Sequence, residues 1–209
     1  MSSWLDGYAA QFEQLLNQEV GTCVGLTKLY PEKEEGPPIN WIYQASLAKA
    51  LLSAFEESGA QFAGINSAGV RGDLPEGVLQ YRHVEACWPW QNTVHRCECS
   101  GSLVWEMLER NARQIEQRQD DGMFLHFAGL EYQVVEGVPA NVVIAGKPWE
   151  AGAWYHFIAD GYLVTSSLSD FLNAPEGQRG IVDCGLKTQD CIIDHIKALH
   201  TAGGGFGGP

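Results

Sequence analysis

Between residues 123 and 159 apolar runs follow one another in quick succession, and that rhythm constrains the fold more than any other feature. The runs at 123–127, 130–135, 142–144 and 155–159 each have strand length, and their short separations read as partly hairpin-connected strands. Helical spacing flanks them. Trp4, Tyr8, Phe12 and Leu15 mark an amphipathic helix over 4–18. Leu47, Leu51, Ala54 and Phe55 mark a second over 44–57, with Gly59 as its stop. Ser100-Gly101-Ser102 opens a long helix to about 119 that turns Val104, Leu108 and Ile115 inward. Ile192, Ile196 and Leu199 mark the last, over 188–199, with Thr188 as its candidate cap. Strands are expected at 62–65 and 94–99. The run Tyr30-Pro31-Glu32-Lys33-Glu34-Glu35-Gly36-Pro37-Pro38 is a loop. Interleaved elements of this kind predict an α+β fold, a mixed sheet with flanking helices. One domain is expected over 1–200, followed by a flexible glycine-rich tail over 201–209.

At 209 residues the chain can bury a full core. Its net charge of −13 argues against nucleic acid or an anionic membrane as partner, because both reward basic patches. No apolar run approaches the roughly 20 residues that span a bilayer. No secretory signal is visible at the N-terminus, so the expected compartment is the cytoplasm, or an extracytoplasmic one if the chain is a processed product. Cys23, Cys87, Cys97, Cys99, Cys184 and Cys191 lack any CxxC rhythm and read as buried free thiols, with a Cys184–Cys191 disulfide as the alternative.

Three short stretches carry the functional signal. Asn66-Ser67-Ala68-Gly69-Val70-Arg71 is a small-residue turn that leaves a strand and ends on a cation. Trp88-Pro89-Trp90-Gln91-Asn92-Thr93 and Asp160-Gly161-Tyr162-Leu163-Val164 each set an aromatic ring beside polar or flexible neighbours. A cation, an amide and two rings suit a flat, anionic ligand such as a nucleotide. Nothing in these stretches supplies the chemistry to cut it.

In order and spacing these segments resemble the C-terminal, substrate-binding domain of the 5′-nucleotidase family. The 66–71 turn is similar to that family's Asn-Gly-Gly-Gly-Ile-Arg, and 88–93 to its Pro-Phe-Gly-Asn-Thr, with Tyr81-Arg82-His83-Val84 as lead-in. Ser100-Gly101-Ser102-Leu103 resembles its Thr-Gly helix start. The run from Gly122 to Leu130 resembles its Gly-Phe-Leu-Gln-Val-Ser-Gly. The resemblance implies a domain that grips a nucleotide for a separate N-terminal, two-metal metallophosphoesterase domain. By position it implies Trp90 and Tyr162 as the rings that sandwich the base, Asn66 as a hydrogen-bond partner of the base, and Arg71 at the phosphate.

The chain departs from the family pattern at several points. The family's Asn-Leu-Gly-Asn is Ser46-Leu47-Ala48-Lys49 here, no cation stands at Trp41 to Gln44, and Gly-Gly-Asp-Gly is Ser166-Ser167-Leu168-Ser169. Leu168 cannot hold ribose hydroxyls as an aspartate would, and Asp170 stands two positions further on. The pocket is therefore expected to be degenerate. Cys191, His195 and His200 have the look of a metal set, but without a second ligand pair a surface helix is the simpler account. No catalytic residue, metal or cofactor is assigned. Two functional readings follow. The first is a non-catalytic domain that binds a nucleoside- or nucleotide-like small molecule and acts with a separate metallophosphoesterase. The alternative is an assembly protein that kept the fold, lost the pocket, and self-associates by docking Phe206 of its tail into a neighbour.

Overall fold

The computed structural model describes residues 2–26, 42–117, 124–167 and 178–207. Trp41, Met123, Leu168 and Asp170, and the 30–38 loop, lie outside the described residues, as do the side chains of Trp4, Ser166 and Ser167. The elements in chain order are α1 (Ser2–Leu16), β1 (Glu19–Leu26), α2 (Ile42–Ala54), β2 (Phe62–Asn66), β3 (Leu74–Gln80), α3 (Tyr81–Cys87), β4 (Thr93–Ser100) and α4 (Gly101–Glu116). Then come β5 (Leu125–Ala128), β6 (Leu130–Val135), β7 (Val138–Ile144), β8 (Lys147–Pro148), β9 (Trp154–Asp160), β10 (Gln178–Lys187) and α5 (Thr188–Thr201).

The centre is a five-stranded sheet in the order β10-β4-β9-β2-β5. β2 and β9 run parallel, and the other neighbours are antiparallel, so the sheet is mixed. Period-two alternation divides its side chains between two cores. Ala63 and Ile65 of β2, Val94 of β4 and Ile158 of β9 face one core, built with Leu47 and Leu51 of α2, Val84 and Cys87 of α3, and Ile192 and Ile196 of α5. Phe62, Cys97, Cys99, Tyr155 and Phe157 face the other, closed by Leu103, Val104, Met107 and Leu108 of α4 and by the β6–β7 hairpin. Because both faces are covered, all five residues of β2 are buried. Phe62 stacks on Phe157 at 4.7 Å across the parallel pair. This is the α+β arrangement that the interleaved pattern predicts.

Local signals set most ends. Ser100 Oγ accepts the Leu103 N–H at 3.2 Å and starts α4. Gly59 takes a left-handed φ of 75° after the short 3₁₀ turn Glu56–Ser58 that follows α2. Thr188 is not a cap: Lys187 holds that position, and the Thr188 hydroxyl goes elsewhere. All six cysteines are free thiols, so no Cys184–Cys191 disulfide forms. Burial pushes Cys97 up to about 12 and Cys191 up to about 11, which keeps both thiols neutral and unreactive.

The two chain ends behave differently from expectation. α1 is helical, yet Tyr8 and Phe12 are 64% and 56% exposed, and Leu15 is exposed beside them. Residues 202–207 are not a loose tail. The chain turns after α5, the Phe206 N–H donates to Thr22 O at 2.8 Å, and Phe206 O accepts from Val24 N at 3.2 Å. The Phe206 ring is fully buried with its edge toward His195, 6.2 Å between centroids. Phe206 therefore packs into the core of its own chain. β1 can come this close to α5 because Gly21 has no side chain: a Cβ there would lie 2.7 Å from Cγ2 of Ile196.

Candidate functional site

A cavity of about 180 Å³ opens where the ends of β2 and β9 meet the loop between α3 and β4. Asn66, Arg71, Trp90 and Tyr162 all line it. The fold thus brings together four residues from three separate segments of the chain.

The first wall is the exit from β2. Asn66 ends the strand in extended conformation, buried, and Ser67–Gly69 form a single 3₁₀ turn closed by Val70 N to Ser67 O at 3.3 Å. Glycine is required at position 69. A Cβ on Gly69 would collide with the ring of Trp88, which is buried behind the turn. The second wall is the loop after α3. The Trp90 indole N–H donates to Gly69 O at 2.8 Å, and the Arg71 N–H donates to Cys87 O at 2.8 Å, so the two walls are joined at both ends. The Arg71 guanidinium lies 4.8 Å over the Trp90 ring, a cation–π contact at the exposed rim. The third wall is the turn after β9, where Tyr162 is 47% exposed and leads into the π-helical turn Leu163–Ser167.

Asp160 lies beneath these walls, 1% exposed. Its Oδ1 accepts from Asn92 Nδ2 and from the Tyr162 N–H, each at 2.9 Å, and its Oδ2 accepts from Thr188 Oγ1 at 2.7 Å. Burial raises its pKa above the ordinary carboxylate value, and the three donors pull in the opposite direction. α5 fastens the floor from behind. The Thr188 N–H donates to Asn92 O at 3.0 Å, and Gln189 Nε2 donates to Trp88 O at 3.0 Å. Gln189 also accepts from Tyr81 and donates to Glu85.

Sequence reasoning singled out Arg71, Trp90 and Tyr162 at the rim and the buried Asn66, and missed the polar residues of the floor. Asn92 and Asp160 lay inside the quoted stretches, but their role depends on a mutual hydrogen bond across 68 positions. Thr188 gave a signal that suited a helix cap equally well. Trp105 belongs to the opposite core, where it packs against Trp149 at 4.7 Å. Among the described residues no group of three or more His, Cys, Asp or Glu side chains could hold a metal ion.

The sequence profile of the 5′-nucleotidase C-terminal domain matches residues 19–166. A 5′-nucleotidase of Vibrio cholerae is 28% identical over 156 residues, which are 74% of this chain and 27% of that protein. This chain therefore spans about a quarter of the length of the curated relatives it matches. Among solved structures, the 5′-nucleotidase precursor of Thermus thermophilus superposes with a TM-score of 0.76 at 20% identity, covering 95% of this chain and 40% of that one. The NAD nucleotidase of Haemophilus influenzae gives 0.74 at 19% identity, covering 95% and 38%. At these identities the superpositions speak to the fold alone. With a family profile matched over most of its length, the chain belongs to the 5′-nucleotidase C-terminal domain family.

Proposed function

We propose that this chain binds a nucleoside- or nucleotide-like small molecule without cutting it, and acts with a separate metallophosphoesterase. The carrying observation is the convergence of Asn66, Arg71, Trp90 and Tyr162 on one cavity. Relatives named 5′-nucleotidase support nucleotides as the ligand class. The cavity volume of about 180 Å³ is below the roughly 300–1,000 Å³ typical of drug-sized ligands. It suits a single ring system with sugar and phosphate left at the mouth. Trp90 and Tyr162 supply stacking surface, each contact contributing about 1–3 kcal/mol. Arg71 at the rim offers a planar fork that matches phosphate oxygens.

Isothermal titration with AMP, adenosine and UMP tests the reading. Saturable heat from the parent protein, weakened in Trp90→Ala, is the expected outcome. A parent protein that gives no heat with any of the three would refute it.

An assembly role has one observation of its own: Tyr8, Phe12 and Leu15 present a solvent-facing apolar stripe on α1 at helical spacing. The tail supports that role less, since Phe206 is already buried within its own chain. Light scattering decides it. A multimer that dissociates in a Tyr8→Ser/Phe12→Ser variant favours assembly, and a parent monomer removes it.

A further inference from the structure

Asn92 and Asp160 form a fixed polar pair at the floor of the cavity, and neither belongs to the four residues assigned above. The pair has a direction. Asp160 is addressed by three donors, the Asn92 amide, the Tyr162 backbone N–H and the Thr188 hydroxyl, which is the pattern of a carboxylate acting only as acceptor. A side-chain amide can flip end for end, but here its nitrogen is held by the carboxylate at 2.9 Å. A flipped Asn92 would place its carbonyl oxygen against Asp160 Oδ1, acceptor against acceptor. The carbonyl is therefore the end of Asn92 left for a ligand, and among the described residues no hydrogen bond uses it.

We infer that Asp160 is a positioning residue that sets the hydrogen-bond polarity of the cavity, so that the site selects flat ligands with an N–H donor on the ring edge. The inference rests on the nucleoside-binding reading above and narrows its ligand class. The long-range charge pattern agrees. A buried carboxylate at the floor and the Arg71 guanidinium at the rim favour a ligand that enters with its donor edge first and its anionic end outward. An exocyclic amine is the simplest such donor, so adenosine and purine riboside, the same ring system without the amino group, are the natural probes.

Three variants separate positioning from mere structural support. Asp160→Asn keeps a carbonyl oxygen that can accept both the Tyr162 N–H and the Asn92 amide, while its new NH₂ turns to the Thr188 hydroxyl, which can accept. Asn92 should then keep its orientation. Asp160→Ala releases the amide. Asn92→Ala removes it, and because Asn92 is only partly buried, that variant keeps the test open if Asp160→Ala fails to fold.

Calorimetric titration of both nucleosides into the parent should show adenosine binding about three- to tenfold tighter than purine riboside, the range of one net hydrogen bond. Asp160→Asn should preserve that ratio. Asn92→Ala and a folded Asp160→Ala should bring it near one while purine riboside still binds. A role confined to folding would weaken both nucleosides equally and leave the ratio unchanged. Equal affinities in the parent, or an unchanged ratio in Asn92→Ala, overturn the inference but leave nucleoside binding standing. If the parent binds neither nucleoside, both the inference and the reading beneath it fail.

Discussion

The floor of the cavity is built like a core and its rim like a surface. On the floor, Trp88 and Asp160 are buried, and Thr188 and Gln189 of α5 fasten them and the intervening loop through hydrogen bonds of 2.7–3.0 Å. On the rim, Arg71 and Tyr162 are exposed, and Arg71 is held by a cation–π contact that contributes less than about 1 kcal/mol at such a site. Under the proposed function the contrast implies that Trp88 and Thr188 on the floor chiefly govern stability, that the floor pair Asn92 and Asp160 governs which ligand is preferred, and that rim residues govern how tightly it is held. Substitutions that exchange those effects would break the distinction.

The largest effect should come from Trp88→Ala on the floor. Truncating a fully buried indole costs about 3–5 kcal/mol, read as a lowered midpoint in chemical denaturation. Thr188→Val should follow. It leaves one oxygen of a buried carboxylate without its donor, at a cost of about 1.5–3 kcal/mol in the same assay. On the rim, Trp90→Ala should weaken adenosine by about 1–3 kcal/mol in calorimetry, and because the half-buried indole also packs on the core and donates to Gly69 O, it should lower the denaturation midpoint as well, though less than Trp88→Ala. Arg71→Ala should be smallest in stability, under about 1 kcal/mol, and should weaken AMP more than adenosine.

Titration sharpens the same comparison. Because burial raises the folded-state pKa of Asp160, the folded protein holds its proton more tightly than the unfolded chain does. This group's contribution to stability is therefore lost as pH rises from the unfolded value near 4 through the raised folded value. His126 acts with opposite sign. Burial holds it down to about 3, so stability falls as pH drops from about 6.5 toward that value. The Asp160 slope is thus best read as the difference between parent and Asp160→Asn denaturation curves over pH 4–7.

Much of the central sheet and its helical coverings could be read from the sequence, because β2, β5 and β9 are dense in apolar residues, Val94, Cys97 and Cys99 mark β4, and α4 and α5 have clear faces, whereas α2 is apolar nearly all round and the expected inward Ala54 is exposed. β1, β3 and β10 escaped for a common reason. Gly21 and Gly25 interrupt β1, Pro75 and Gly77 interrupt β3, and Gly180 and Gly185 take positive φ within β10, so strict alternation is lost. β10 also shifts register twice against β4. α3 is only two turns long, and a capping box between Gln80 and His83 starts it without a Ser, Thr, Asp or Asn signal. Phe206 looked like a tail residue because its neighbours are glycines, yet those glycines are what allow the chain to turn back onto β1. The residues that converge on the cavity could be picked out because two aromatic rings and an arginine announce themselves by type. The floor could not, because an asparagine, an aspartate and a threonine acquire their roles only from one another's positions.

Saturation-transfer NMR with AMP tests most directly whether the ligand enters ring first, between Trp90 and Tyr162, with its phosphate toward Arg71. The account predicts strong transfer to the two purine ring protons, weaker transfer to the sugar protons next to the phosphate, and loss of both in Trp90→Ala. Transfer that is uniform along the ligand, strongest at the phosphate end, or the same in Trp90→Ala as in the parent would contradict it.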